Sequence, residues 1–350
     1  MAISNSLRVG VVKWNKNNAL AVGYIEKIEQ LGHQAFTFLY DHKIPENLHV
    51  IFVFGPFNSL VPLANQLIAI SPEKRPLLAL LMTEQFPNPK TPEWFRYYFG
   101  RIRTKLELAA HRNNHGGSKS WRKRNSLGWL TSRAIRYRYY GDLFWLRDQG
   151  LLSALATYSD WTAEFLRARG FDPVVPTRGF NPAWSADIKV DRDVPVLWLG
   201  KYGSRRRKKL IKQIRVELKS RGVDMLMVDG VEHPYVFGDE RNILLKRSKI
   251  VLNLVREKWD DNSLRFTLAA HNRALIISEP LLPHSQFIPG EHMVVAPIEK
   301  IPEVIVYYLD HEDERKKIAQ QSFQLINKHK EIGLGISEIL QKAINSQKHH

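Results

Sequence analysis

The chain has 350 residues, 44% hydrophobic and 25% charged, which allows two domains of ordinary size and excludes disordered and fibrous classes. No stretch reaches the roughly 18 to 20 uninterrupted apolar residues of a bilayer span, and the opening MAISNSLRVGVVKW lacks the basic region and apolar run of a secretion signal, so the expected location is the cytoplasm. The absence of cysteine excludes disulfides, thiolate nucleophiles and Cys-ligated metals, while a formal net charge of +17 calls for an anionic partner.

Residues 7–14 (LRVGVVKW) read as a buried strand, and the stretch to Leu31, with apolar Ala21, Ile25 and Ile28, as a helix. Residues 33–40, 49–55 and 76–84 are further short apolar runs, with a helical pattern over 60–70 between the last two. Strands alternating with helices predict a mostly parallel sheet covered on both faces. From Pro92 onward the pattern becomes aromatic, basic and helical. Residues 113–125 (NNHGGSKSWRKRN) interrupt it with glycines and clustered charges that suit a basic loop. Between residues 101 and 138 eleven Lys/Arg face one acid, Glu107. Such a concentration attracts nucleic acid, anionic lipid or phosphorylated molecules, or simply forms a solvated face. Residues 127–152 return to helix, 153–159 to strand and 161–169 to a short helix stopped by Gly170, and the Pro-rich 172–182 reads as a linker.

The second half restarts the same grammar. Strands are expected at 194–200, 223–229, 250–255, 274–279 and 292–296, and helices at 205–221, 240–248 and 262–272, with two amphipathic helices separated near Asp310 closing the chain. The expected domains are therefore 1–182, with a basic helical insertion, and 183–350. Both are α/β and Rossmann-like.

The sharpest local feature is Gly200-Lys201-Tyr202-Gly203-Ser204 followed by five basic residues from Arg205, because a strand feeds a glycine turn and then a helix. Backbone amides and the positive helix end there suit a phosphate group, with Arg205 and its neighbours adding charge-assisted contacts. A plain loop with a solvated basic helix is the alternative. His233, in a loop after the next strand, is a candidate contact for a base or sugar. In the first half Glu84 follows an apolar strand, at the carboxyl edge where open α/β sheets bind ligands. It is either a general base for an acceptor hydroxyl or an ordinary loop acid.

The phrase Asn262-Ser263-Leu264-Arg265-Phe266-Thr267-Leu268-Ala269-Ala270-His271-Asn272-Arg273-Ala274-Leu275-Ile276-Ile277-Ser278-Glu279, after the strand ending Leu252-Asn253-Leu254, is more specific. It resembles the donor-binding half of GT-B glycosyltransferases with a group 1 type C-terminal domain. Residues 287–291 (FIPGE) and 309–319 (LDHEDERKKIA) are also similar to that family, and the likeness covers roughly the last 160 residues. The resemblance implies two Rossmann-like domains facing a cleft, and a sugar transferred from a nucleotide-sugar donor to a glycan, lipid-linked or other acceptor. It implies no cofactor and no metal, because cations and a helix end stabilise the leaving group.

It also implies that Arg265 approaches the donor diphosphate. Asn262 and Glu279 are candidates beside it. Two departures stand out: Thr267 replaces the family Glu that accepts hydrogen bonds from the donor ribose, and stays a candidate donor-binding residue because its hydroxyl can still bond a ribose hydroxyl without the charge, and Asn272 replaces the glycine that closes the helix in a left-handed conformation. A second reading follows from Thr267: a non-catalytic GT-B-like protein that binds nucleic acid or another polyanion through its basic surface. No nucleic-acid module motif is present, so the partners expected are a nucleotide-sugar, a glycan or lipid-linked acceptor and an anionic membrane surface, with the protein peripheral to it.

Overall fold

Short runs of Val, Ile, Leu and Phe, each followed by helical spacing, fold into two separate parallel sheets. The computed structural model describes residues 6–15, 19–84, 86–113, 135–177, 179–259, 263–282, 286–328 and 334–347. It divides into one unit of Met1–Tyr158, Thr162–Pro176 and Gly333–His350, and another of Ser159–Trp161 and Thr177–Ile332.

In the first unit the order is β1 (Arg8–Lys13), α1 (Ala19–Gln30), β2 (Gln34–Leu39), β3 (Val50–Gly55), α2 (Val61–Ala69), β4 (Leu77–Met82), α3 (Glu93–Asn113), α4 (Ile135–Asp148), β5 (Leu152–Thr157), α5 (Asp160–Arg167) and β6 (Pro173–Val174). The strands form one parallel sheet ordered β2-β1-β3-β4-β5-β6. Every residue of β3 is buried, because helices cover both faces of a parallel sheet and leave no polar side to alternate with. Helix α3 lies along α4 at a glycine crossing, where a Cβ on Gly141 would run into the Gly100 carbonyl oxygen.

The second unit runs β7 (Val194–Leu199), α6 (Arg205–Ser220), β8 (Met225–Val228), α7 (Gly238–Arg247), β9 (Ser248–Asn253), α8 (Ser263–His271), β10 (Leu275–Ser278), β11 (Val294–Val295), α9 (Ile301–Asp310) and α10 (Glu312–Lys328). Its parallel sheet is ordered β11-β10-β9-β7-β8. Helix α6 is strongly basic, yet Ile211, Ile214 and Leu218 recur at helical spacing and bury one stripe in the core.

Four expectations change. The closing segment is not two helices but three, the last being α11 (Leu334–Ser346). That helix packs with the first unit rather than the second: Ile336, Ile339, Leu340 and Ala343 join the first core. Amphipathic spacing identifies a buried face but not the sheet it is buried against. The Pro-rich linker contains β6, paired with β5 as an edge strand, where a missing N–H is tolerated. Part of the basic run is internal: Arg103, Glu107 and Arg138 are buried, with Glu107 3.8 Å from both arginines. The greater part of the expected loop at 113–125 lies outside the described residues.

Candidate functional site

Parallel strands in register bring their carboxyl ends to one edge, and the second unit collects its polar residues there. Register sets Ser278 of β10 beside Asn253 of β9, with β7 on the other side of β9 ending at Leu199. The chain then turns through Gly200 and Gly203, both at positive φ (120° and 69°). Gly203 has a second constraint, since a Cβ would lie 2.6 Å from Arg207 Nη2. Ser204 caps α6, accepting from the Arg207 N–H at 3.2 Å and donating to the Arg256 carbonyl at 2.8 Å.

The turn is tied down from inside by Arg207. Its buried guanidinium donates to the carbonyls of Lys201 (2.5 Å) and Tyr202. In a trans peptide the N–H points opposite the C=O, so the Tyr202 and Gly203 N–H groups face away from Arg207. The result is a strand, a glycine turn with outward backbone donors and a helix N-terminus, the combination that holds phosphate groups.

Two further arginines sit at this edge. Arg206 makes a two-pronged pair with the buried Glu279 carboxylate, one prong at 3.0 Å, and the Val255 N–H adds a 2.8 Å bond to the same carboxylate. This pairing with Glu279 holds the Arg206 guanidinium above its usual pKa. Arg265, on α8, donates from Nη1 to Asn253 Oδ1 at 2.6 Å and from Nε to the Leu199 carbonyl at 3.2 Å, and lies 4.4 Å from the Trp198 ring centroid. Asn253 in turn donates to Ser278 Oγ at 3.0 Å. Arg207 stacks on the same indole at 5.4 Å, and the indole N–H donates to the Gly200 carbonyl at 2.7 Å.

Gly200, Gly203, Ser204, Arg265 and Glu279 thus meet at one sheet edge. The others are placed differently. Arg205 opens α6 but is exposed. His233 is exposed in the loop after β8, its Nδ1 2.9 Å from the Met227 carbonyl; that loop meets the glycine turn where Lys201 lies 5.5 Å from the Tyr235 ring centroid. Thr267 is buried in α8, its carbonyl bound to His271 Nδ1 at 2.6 Å. Asn262 lies outside the described residues. Glu84 stands half-buried just past β4 at the carboxyl edge of the first sheet. Among the described residues no group of three or more His, Asp or Glu is placed to hold a metal ion.

Arg206, Arg207, Asn253 and Trp198 are the parts that sequence reasoning undervalues. Of the five consecutive basic residues, helical rotation exposes Arg205, Lys208 and Lys209, turns Arg207 inward and sets Arg206 on Glu279. Asn272 is also corrected. The left-handed residue is Arg273 (φ 50°), while buried Asn272 donates to the carbonyls of Trp184 (2.8 Å) and Leu268 (2.9 Å) and accepts from the Ala186 N–H (3.2 Å). The amide ties the segment before β7 to the end of α8, a task glycine has no side chain for.

Two parallel α/β units of this kind define the GT-B architecture. Residues 205–332, all within the second unit, match the family model described as glycosyl transferase-like. Solved structures carry the same fold across the chain. Sucrose-phosphate synthase from Thermosynechococcus elongatus is 9% identical at a TM-score of 0.58, covering 98% of this chain and 99% of that one. HepE from Anabaena, solved with UDP-glucose, is 10% identical at 0.54, covering 98% and 100%. TarM from S. aureus is 8% identical at 0.51, covering 85% of this chain and 54% of that chain, so the likeness spans about half of TarM. No curated protein sequence matches the chain.

Proposed function

We propose that this protein is a glycosyltransferase that moves a sugar from a nucleotide-sugar donor to a glycan, lipid-linked or other acceptor. The observation that carries the reading is the turn at 200–204, with outward N–H groups, flanked by Arg206 and Arg265; the turn lies immediately before the segment that matches the glycosyl transferase-like model, and the two arginines lie within it. When the glycosidic C–O bond to the donor breaks, negative charge grows on the departing nucleoside diphosphate. Fixed cations and a helix N-terminus stabilise that charge without being reorganised. Arg265 is the residue assigned to it, with the turn amides binding the same group. Glu84 is assigned to accept the proton of the acceptor hydroxyl. Arginine and backbone donors supply the electrostatics here, so we infer transfer that needs no metal.

HepE was solved with UDP-glucose, which makes UDP-sugars the first donors to test. Among the described residues no helix is long and apolar enough to cross a membrane, and the charge of +17 favours a peripheral position on the cytoplasmic face of an anionic membrane, where a lipid-linked acceptor would lie.

The test is a thermal-shift and calorimetric screen of UDP, GDP, ADP, TDP, CMP and their sugar conjugates, without and with added divalent metal. A ligand at about 100 times its Kd adds about 2.7 kcal/mol to the native state, so one nucleotide is expected to stand out. Silence across the panel, together with salt-sensitive binding of random oligonucleotides, would replace this reading with that of a polyanion binder.

A further inference from the structure

Helix α3 mixes polar and apolar residues on its inward side: Arg96, Arg103, Thr104 and Glu107 are buried, Thr104 Oγ1 donating to Asp142 Oδ1 at 2.8 Å, while Tyr97 and Leu108 pack against the first core. Its solvent side carries Trp94, Phe95, Tyr98, Ile102 and Leu106, between 39% and 64% exposed. Residues 94, 98, 102 and 106 follow one another at i, i+4 spacing, a continuous apolar stripe about 18 Å long at 1.5 Å per residue. Folding in water puts large apolar side chains inward. A single exposed one is ordinary, but a stripe of five on one helix marks a surface that meets an apolar partner.

Charge narrows the partner. Two cations run along the stripe, the exposed Lys105 and Arg101, whose guanidinium donates to Asp148 at 2.7 Å. The acids of the helix are occupied: Glu107 is buried, and Glu93 is held by Arg96 (2.5 Å), Arg169 (2.5 Å) and the Tyr140 hydroxyl. The face therefore presents aromatic rings, aliphatic chains and positive charge on a chain of net charge +17. Trp and Tyr favour the headgroup level of a bilayer, and a basic amphipathic helix lies in that plane.

We propose that the Trp94–Tyr98–Ile102–Leu106 face of α3 docks flat on an anionic phospholipid surface, its aromatic rings at the headgroups, Ile102 and Leu106 at the acyl boundary and Lys105 on lipid phosphates. The inference gives the membrane part of the proposed function a definite surface. It is independent of donor chemistry, because vesicle binding is read without nucleotide: either reading can fail while the other stands.

The experiment is flotation of the full chain with phosphatidylcholine vesicles, with and without about one-third phosphatidylglycerol, alongside its mass in solution by light scattering. Wild type is expected to float with the anionic vesicles and not with phosphatidylcholine alone. Combined Trp94→Ser, Tyr98→Ser and Ile102→Ser is expected to cut partitioning by about tenfold or more at unchanged melting temperature, since all three side chains are exposed. Lys105→Glu should weaken it by about fivefold, most at low salt. Absence of wild-type flotation, or equal flotation of the triple variant, overturns the proposal. So does a dimer that the triple variant splits while vesicle binding is absent, which would make this face a contact between copies.

Discussion

The Arg265 guanidinium stacks on the Trp198 indole at 4.4 Å while its Nη1 donates to Asn253, so one side chain is fixed by a ring, an amide and a carbonyl before any ligand arrives. A cation fixed this way loses little freedom on meeting a diphosphate. Arg265→Ala is expected to weaken nucleoside diphosphate binding by tenfold or more, the worth of a charge-assisted hydrogen bond of about 1.5–3 kcal/mol. It is also expected to cost about 1–2 kcal/mol of stability, because Asn253 Oδ1 loses its donor. Arg265→Lys should recover part of the affinity, keeping the charge but not the fork or the stacking plane. Titration calorimetry on all three proteins decides it; equal affinities would remove Arg265 from the site.

Arg206 and Glu279 form an asymmetric pair. The Glu279 side chain is 3% exposed and that of Arg206 25%. Arg206→Ala strands a buried carboxylate with the Val255 N–H as its remaining donor from this set, and is expected to cost about 3 kcal/mol. Glu279→Gln leaves a cation that can turn toward water, and should cost closer to 1 kcal/mol. Urea unfolding of the two single variants and the double variant measures the coupling. Equal costs would mean that solvent reaches both partners alike.

How much of this was legible in the sequence depends on the range of the interaction. Strand and helix positions follow local periodicity, and the strands and helices expected in the second half recur as β7 to β11 and α6 to α8 within a few residues. The glycine turn was legible because strand, glycine and basic helix are contiguous. Arg206–Glu279, 73 residues apart, and Arg265–Asn253 across two elements depend on which strands become neighbours, and that is set by the whole sheet. The same reason hides α11, whose apolar stripe fits either core by pattern, and Asn272, whose partners Trp184 and Ala186 lie more than 80 residues earlier.

Gly203 and Gly222 separate two costs. Both have positive φ (69° and 76°), but a Cβ on Gly203 meets Arg207 whereas on Gly222 it meets nothing within 4 Å. Gly222→Ala is expected to lose about 1 kcal/mol, the price of a left-handed non-glycine residue. Gly203→Ala should lose about 2–3 kcal/mol and most nucleotide affinity, because Arg207 must release the turn carbonyls. Melting temperatures with and without nucleotide report both effects, and similar losses at the two sites would argue against a rigid turn.

Asp142 supplies a pH dependence. It is fully buried on α4, accepting from Thr104 Oγ1 (2.8 Å), the Leu60 N–H (3.1 Å) and Ser59 Oγ (3.2 Å). Burial pushes its carboxyl up to about 6, against the opposing charge of Arg138 and the donors from Leu60 and Thr104, with Glu107 adding to the rise. The native state therefore keeps this proton to about pH 6, while the unfolded chain releases it near the ordinary carboxyl value of 3.8. Native protein binds more protons within that window, so this contribution to stability is complete below the unfolded value and is lost as pH rises through about 6. Its size is on the order of 3 kcal/mol. Asp142→Asn removes the titration, and the Ser59 and Thr104 hydroxyls can rotate to accept from the new amide. The wild type is expected to lose stability relative to Asp142→Asn between pH 4.5 and 6.5, in denaturant titrations at several pH values. Parallel profiles would show that Asp142 is already ionised in the native protein at pH 4.5, with Arg138 outweighing burial.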